Sequence, residues 1–249
     1  MRIGIPVSDD GEKYNINIAY IKYILAAKYE PVLIVPDMDY KSVFDTIDGL
    51  ILPGGIDVDP IYYGDDNDNS LITDPSKDAF ERALLTIARK TKCPVFGICR
   101  GFQLIIREYM LENSDSYDFL DFYQHLPSHN QTGRLKLERS THMHYVDINR
   151  KGLYGSGKVP YMSVNSMHHQ ALVVDFGNRM ERSRNDFEML AWTERGLEEE
   201  LEEDDRIGSL VCEAYSLGNF GTPILAVQWH PEELLDTALI TNFFGRRKK

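Results

Sequence analysis

The segment Gly97-Ile98-Cys99-Arg100-Gly101 places a thiol between two glycines. The apolar run Val95–Ile98 predicts a strand, and the apolar spacing over 102–106 predicts a helix. A nucleophile at such a sharp strand-to-helix turn forms a nucleophile elbow, which exposes the central side chain at the end of the sheet. The helix N-terminus favours a thiolate, and its backbone N–H groups can hold an oxyanion. The same motif also fits a buried packing cysteine, so both interpretations stay open at this point.

A thiol nucleophile needs a base and a group that orients the base. His230 follows a predicted strand at 224–227, and Glu232 stands two residues further along the chain. The imidazole can take the thiol proton, and the carboxylate can accept a hydrogen bond from the imidazole and fix its tautomer. A histidine beside a proline often serves only in capping or packing. Its position after a strand, with a carboxylate close by, favours the catalytic interpretation.

The elements that position these residues alternate between strand and helix in the first half of the chain. We predict helices at 15–28, at 40–46 and from Asp74 or Ser76 to Arg89, and strands at 3–7, 32–35, 49–52 and 95–98. Strands joined by helices indicate right-handed crossovers and a parallel sheet. Ligands bind beyond the carboxyl ends of such strands, where both Gly54-Gly55 and Cys99 fall.

The second half of the chain has a less regular pattern. Residues 112–130 have no clear period, and short strands are predicted at 146–148, 172–174, 188–192, 210–214 and 224–227. An acidic block at 198–205 lies between two of them, as a hairpin tip would. Such a block is usually a solvated loop, and docking to a basic partner is the alternative. Without an internal repeat or a linker rich in Gly or Ser, we expect a single domain over 1–249.

Composition excludes several classes of function. The 249 residues have a formal net charge of −12, which argues against binding nucleic acid through its phosphates. No apolar run reaches the roughly 18 residues that span a bilayer. The three cysteines lie far apart, so neither a disulfide framework nor a zinc site is indicated. We therefore expect a cytoplasmic protein that binds neither membranes nor nucleic acid.

Three blocks resemble, in order, the signatures of class I glutamine amidotransferases. They are Leu52-Pro53-Gly54-Gly55, the elbow extended to Gln103, and Gln228-Trp229-His230-Pro231-Glu232. Two longer blocks, at 52–64 and 164–172, are similar to the γ-glutamyl-γ-aminobutyrate hydrolase group, peptidase family C26. The resemblance implies a flavodoxin-like α/β fold. Its mostly parallel central sheet would be flanked by helices and carry a small antiparallel extension.

The resemblance also implies a role for each matching residue. Cys99 would attack a γ-glutamyl carbonyl and form a thioester, His230 would move the proton, and Glu232 would orient His230. The backbone N–H groups of Gly55 and Arg100 would form the oxyanion hole. No metal or cofactor would be required. The residues expected to contact the substrate are Gly54, Gln103, Ser166, Met167 and His168.

The implied activity is hydrolysis of a γ-glutamyl amide of a small amine or metabolite, with release of glutamate. A glutaminase subunit that supplies ammonia to a separate synthetase is the alternative, and a silent binding module is a third. Either a synthetase partner or a homo-oligomer fits the sequence.

Relatives usually carry a glycine-rich turn and a Leu-Tyr-Gln-Asp-like segment where this chain has residues 112–125. That region would line the pocket mouth, so the leaving amine stays open. Other candidates have simpler roles: Asp57 and Asp59 as turn caps, Cys93 and Cys212 as packing residues.

Overall fold

The structure is a computed structural model that describes residues 1–67, 70, 72–113, 119–130, 137–157, 160–175, 183–184, 186–194 and 209–245. Its strands are β1 (Arg2–Pro6), β2 (Ser8–Asp9), β3 (Tyr14–Asn15), β4 (Glu30–Ile34), β5 (Gly49–Leu52), β6 (Val95–Ile98), β7 (Leu120–Tyr123), β8 (His144–Ile148), β9 (Tyr161–Val164), β10 (Ala171–Asp175), β11 (Ser183–Arg184), β12 (Phe187–Thr193), β13 (Ser209–Leu217) and β14 (Ile224–Val227). The α-helices are α1 (Ile18–Ala26), α2 (Tyr40–Phe44), α3 (Pro75–Thr91), α4 (Arg100–Glu112), α5 (Arg150–Tyr154) and α6 (Thr237–Gly245).

Twelve of the strands found in the described residues join in one sheet. Strands β4, β1, β5, β6 and β14 follow one another in that order, and every neighbouring pair is parallel. We call these five strands the parallel half. Strand β13 pairs antiparallel with β14 and begins the antiparallel half, which continues through β12, β8 and β9. Strand β10 pairs with both β13 and β7, and β11 pairs with β12.

Helices cover both faces of the parallel half because its central strands are buried on both sides. Every residue of β5 and β6 is buried. Along β5 the side chains alternate, since Leu50 and Leu52 belong to one buried cluster and Ile51 to the other. Helices α2, α3 and α4 supply the first cluster, and α1, α5 and α6 supply the second. No helix in the described part of the chain is long and apolar enough to cross a membrane.

The elements predicted for the first half of the chain are confirmed, with small shifts at their ends. Helix α1 begins at Ile18 because the side chain of Asn17 caps it, accepting the N–H of Ala19 at 2.9 Å. Asp74 rather than Ser76 caps α3. Asp59 accepts the N–H of Ile61 and caps a short 3₁₀ helix, as predicted.

The second half of the chain contains more structure than its sequence pattern indicates. Strands β7 and β9 and helices α5 and α6 were not predicted, and β7 lies in the segment that has no clear period. Strands β12 and β13 pair on either side of the acidic block, but residues 198–205 themselves lie outside the described residues. Cys93 and Cys212 are both buried, in agreement with a packing role.

Candidate active site

Three neighbouring strands of the parallel half end at the candidate site. Gly54-Gly55 follows β5, Cys99 follows β6, and His230 comes three residues after β14. The pairing of β5 with β6 and of β6 with β14 therefore brings together segments that are far apart in the sequence. The N–H of Cys99 donates to the carbonyl of Val227 at 2.8 Å, which joins the elbow directly to the end of β14.

The elbow has the strained backbone of a sharp strand-to-helix turn, and Cys99 is buried there rather than exposed as expected from the sequence. Cys99 has φ +50° and ψ −103° and stands at the N-cap position of α4. Such a conformation is costly for a residue with a Cβ and persists where the surrounding structure enforces it. A Cβ on Gly101 would lie 2.2 Å from the carbonyl oxygen of Leu52, so only glycine fits there. The close approach of α4 to the end of β5 therefore fixes the position of the thiol.

Gly54 lies against both Cys99 and His230. A Cβ at this position would lie 2.7 Å from His230 Cε1 and 3.5 Å from Cys99 Cβ. The N–H of Gly54 donates to the hydroxyl of Tyr20 at 2.7 Å. Burial raises the pKa of Tyr20 well above its ordinary value, and the neighbouring Glu232 and Cys99 act in the same direction. Tyr20 is thus a neutral phenol that fixes the first glycine of the loop.

The imidazole of His230 is held by the carboxylate of Glu232. Its Nδ1 lies 2.6 Å from Glu232 Oε1, and both residues are buried. Burial disfavours the charged imidazole, but the Glu232 carboxylate and Cys99 outweigh this effect and raise the pKa of His230 to about 10. The carboxylate therefore favours the protonated form of the imidazole. Since Nδ1 faces Glu232, Nε2 is the nitrogen available to the sulfur.

Asn165 holds the backbone of His230 and was not identified from the sequence as a site residue. Its Oδ1 accepts the N–H of His230 at 3.0 Å, and its Nδ2 donates to the carbonyl of His230 at 3.1 Å. The same amide nitrogen donates to the carbonyl of Arg139 at 2.8 Å. The only signal in the sequence is its place in the block 164–172, directly before Ser166.

Gly55 and Arg100 lie in contact with one another. A Cβ on Gly55 would lie 3.1 Å from Arg100 Cδ, so the arginine side chain occupies the space beside the glycine. The guanidinium is buried and pairs with the carboxylates of Asp78 and Glu81 on α3. Neither carboxylate was singled out from the sequence, because both fall on a helix whose pattern indicates only amphipathic packing.

Three of the residues expected to contact the substrate have side chains that bind other parts of the protein. Gln103 Nε2 donates to the carbonyl of Gln170 at 3.3 Å, and the hydroxyl of Ser166 donates to the carbonyl of His129. His168 Nδ1 donates to the same Gln170 carbonyl at 2.9 Å. Met167 is half-buried. Any contact of the segment 166–168 with a substrate would therefore use its backbone.

A buried carboxylate surrounded by histidines lies behind this segment. Glu213 Oε1 is 3.2 Å from His129 Nδ1, 3.2 Å from His144 Nε2 and 3.7 Å from His168 Nε2. The ligand-type atoms of His129, His168 and Glu213 lie within 4.8 Å of one another, a spacing that a metal ion could bridge. All three histidine nitrogens face one carboxylate oxygen, and His144 Nε2 is hydrogen-bonded to it. Burial opposes the charge of Glu213, but its histidine partners hold the pKa of this carboxyl well below its ordinary value.

Comparison with known proteins agrees with this geometry. The profile of the Peptidase C26 family matches residues 5–232. The protein YvdE of Lactococcus lactis subsp. lactis, named as glutamine amidotransferase-like, is 29% identical over 77% of this chain and 69% of its own length. The γ-glutamyl-γ-aminobutyrate hydrolase PuuD of Escherichia coli K12 is 29% identical over 77% of this chain and 66% of its own.

Solved structures confirm the predicted fold. The glutaminase domain of Trypanosoma brucei CTPS, determined with bound acivicin, aligns with a TM-score of 0.58 and 14% identity, covering 100% of this chain and 94% of that one. A glutamine amidotransferase from Thermotoga maritima aligns with a TM-score of 0.52 and 10% identity, over 93% of this chain and 76% of its own. The class I glutamine amidotransferase fold, with a mostly parallel central sheet flanked by helices, is therefore that of this chain.

Proposed function

Because the chain belongs to the peptidase C26 family, whose hydrolases act on γ-glutamyl C–N bonds, we propose that Cys99 cleaves the γ-glutamyl amide of a small amine or amine-bearing metabolite. The products are glutamate and the free amine. One observation carries the proposal. Cys99 in its strained elbow and His230 with its 2.6 Å contact to Glu232 meet beside Gly54 at the ends of three adjacent strands.

In the first half of the reaction the sulfur of Cys99 attacks the γ-carbonyl carbon as a thiolate, with protonated His230 beside it. The carbonyl oxygen becomes an oxyanion, which the backbone N–H groups of Gly55 and Arg100 stabilise. Each such donor typically contributes about 3 kcal/mol to the transition state. As the C–N bond breaks, His230 gives its proton to the leaving amine. The γ-glutamyl group stays on Cys99 as a thioester.

In the second half of the reaction water replaces the amine. His230, now neutral, takes a proton from the water as its oxygen attacks the thioester carbonyl. The C–S bond breaks, glutamate leaves, and Cys99 is again a thiolate beside protonated His230. Glu232 keeps the imidazole in one orientation through both steps, and its negative charge favours the protonated form that begins the cycle.

The test is a screen for glutamate release over a panel of γ-glutamyl amides and free glutamine. We expect release from at least one γ-glutamyl amide, abolished in Cys99→Ala. Cys93→Ala is the matched control, since Cys93 is also buried but lies just before β6, at the opposite end of that strand from the elbow. Turnover that persists in Cys99→Ala would contradict the thiol mechanism. A panel without any glutamate release would contradict the function.

Free glutamine is in the panel because the same residues could serve a glutaminase subunit. The similarity to YvdE, which is named as glutamine amidotransferase-like, supports the glutaminase subunit as a second candidate function. A glutaminase subunit should prefer glutamine to the other amides, and its rate should rise when a copurifying synthetase is added. A rate on γ-glutamyl amides that is high and independent of any added protein would exclude it.

A further inference from the structure

A group of buried charges lies behind the loop that carries Gly55. The group, here called the α3 ion cluster, contains two cations and two carboxylates, so its formal charges cancel. Arg100 pairs with Asp78 and Glu81, and Lys77 Nζ lies 3.1 Å from Glu81 Oε1. Both carboxylates are 0% exposed, Arg100 is 1% exposed and Lys77 is 8% exposed. The hydrolysis described above uses none of these side chains.

The α3 ion cluster is joined to the loop at 54–59 by direct contacts. Asp78 Oδ2 accepts the N–H of Asp59 at 3.0 Å, while its other oxygen pairs with Arg100. A Cβ on Gly55 would lie 3.1 Å from Arg100 Cδ and 3.2 Å from Lys77 Cε, so these two side chains form the surface on which the glycine rests. At the other end of the loop, Tyr20 accepts the N–H of Gly54. The loop is thus fixed at both ends and supported in the middle.

We propose that the Arg100 guanidinium is a positioning group for the oxyanion hole. The inference rests on the proposed function, in which the two donors are the N–H groups of Gly55 and Arg100. Arg100 contributes one donor through its backbone and supports the other through its side chain. The carboxylates of Asp78 and Glu81 hold the guanidinium in place, so the distance between the two donors depends on this one residue.

The shape of the guanidinium explains why a lysine could not replace it. A guanidinium is planar and rigid and can pair with two carboxylates at once, whereas an ammonium is a point charge on a flexible stem. Taking ion pairs out of water is also costly, so a buried pair is weak support for stability alone. Removing one partner leaves the other charge buried and unpaired, so stability changes as well, and the reaction rate of the folded enzyme is the quantity that tests positioning. A donor misplaced by about 1 Å can cost on the order of 100-fold in rate.

The experiment compares the wild type with Arg100→Lys, Glu81→Gln and a control, Arg89→Lys. Arg89 also joins α3 to α4, through Glu112 at 2.6 and 2.7 Å, but at the far end of both helices. We measure kcat and KM on a γ-glutamyl amide, the rate of Cys99 alkylation by iodoacetamide, and amide hydrogen exchange over 54–59. Alkylation is informative because it tests the thiolate without forming an oxyanion.

We expect Arg100→Lys to lower kcat by about 10- to 100-fold with KM changed less than about 3-fold. Alkylation should keep its wild-type rate, and exchange over 54–59 should become faster. Glu81→Gln should show the same pattern more weakly. This variant provides the test if Arg100→Lys fails to fold. Arg89→Lys should match the wild type in all three measurements.

Unchanged exchange over 54–59 in both cluster variants would overturn the proposal, and so would equal losses in kcat and in alkylation. Hydrogen exchange needs no substrate, so it decides the positioning role separately from the proposed function. A wild type that cleaves no γ-glutamyl amide would contradict that function alone.

Discussion

On helix α3, beside the parallel half of the sheet, the buried carboxylates of Asp78 and Glu81 are paired with arginine and lysine, whereas in the antiparallel half the buried carboxylate of Glu213 is surrounded by histidines. Arginine and lysine keep their charge across the neutral range, but histidine loses or gains a proton close to neutrality. The elbow and oxyanion loop are thus supported by arginine and lysine ion pairs. The segment 165–168 is supported by a histidine network, in which burial lowers the pKa of His168 to about 4.

The difference separates two tasks that the same active site performs. The reacting thiol and the two N–H donors need a geometry that stays constant while His230 changes its protonation state. The segment 165–168 holds the backbone of His230 through Asn165 and contacts the histidine network through His168. We therefore expect changes to the charged side chains around the elbow to lower the reaction rate, whereas a steric change such as Gly101→Ala lowers the stability of the fold itself. Changes in the antiparallel half should act mainly on stability and its dependence on pH.

The largest effect is expected for Glu232→Gln, at the end of β14. The neutral amide removes the charge that raises the pKa of His230, and kcat should fall about 1000-fold, or roughly 4 kcal/mol. Steady-state kinetics measures this, with Glu233→Gln as the matched control. Glu233 is the next acidic residue and pairs with Arg139, so its amide variant should stay within about 3-fold of the wild type. Equal losses of kcat in the two variants would contradict the orienting role of Glu232.

The next effect is on the fold of the elbow. In Gly101→Ala the new Cβ would lie 2.2 Å from the Leu52 carbonyl oxygen, so α4 must move away from β5. The free energy of unfolding should fall by about 3 kcal/mol, measured by urea denaturation. Gly245→Ala is the control, because nothing lies within 4 Å of a Cβ at that position. If both variants are equally stable, the close packing of the elbow is not needed.

A smaller effect should follow from Glu213→Gln in the antiparallel half. The amide loses the negative charge that His144 Nε2 and His129 Nδ1 face at 3.2 Å, and the free energy of unfolding should fall by about 2 kcal/mol. Glu188→Gln on β12 is the comparison, since Glu188 is half-buried and its partners are the neutral Asn149 and Ser216. Stability equal to the wild type in Glu213→Gln would show that the histidine network contributes nothing.

The effect that is smallest near neutral pH is a slope in stability as the pH drops. Burial lowers the pKa of His168 to about 4, below its ordinary value of 6.5, so between these values the unfolded chain binds a proton that the folded chain does not. Stability should therefore fall as pH drops from 6.5 towards 4, by up to about 1.4 kcal/mol per unit. His168→Gln should remove this part of the slope when urea denaturation is repeated across the range. An identical slope in the variant would assign the dependence to other groups.

The contrast between the two halves of the sheet also decides which parts of the structure could be predicted from the sequence. The strands and helices around Cys99 were predictable because hydrophobic periodicity and turn residues are local signals, and parallel strands place their carboxyl ends at one edge. This rule alone is enough to predict that His230 lies close to Cys99 in space. The network around Glu213 has no such signal, since it draws His129, His144 and His168 from three separate segments.

Residues that support the site from a distance were missed for a related reason. Tyr20 fits the apolar face of a helix, and only the tertiary fold brings its hydroxyl to Gly54, 34 residues away. Asp78 and Glu81 look like ordinary charges on an amphipathic helix until Arg100 is placed beside them. Short elements such as β7 and α5 were missed because a segment of four or five residues is too short to show a reliable hydrophobic period.

The central claim, that Cys99 carries the γ-glutamyl group as a thioester, can be measured directly. The protein is mixed with a γ-glutamyl amide that it cleaves, quenched in acid within the first turnovers, and digested for mass spectrometry. We predict a γ-glutamyl adduct on the peptide containing Cys99, and its complete absence in Cys99→Ala. Turnover without any adduct on Cys99, or with the adduct on another residue, would contradict the mechanism.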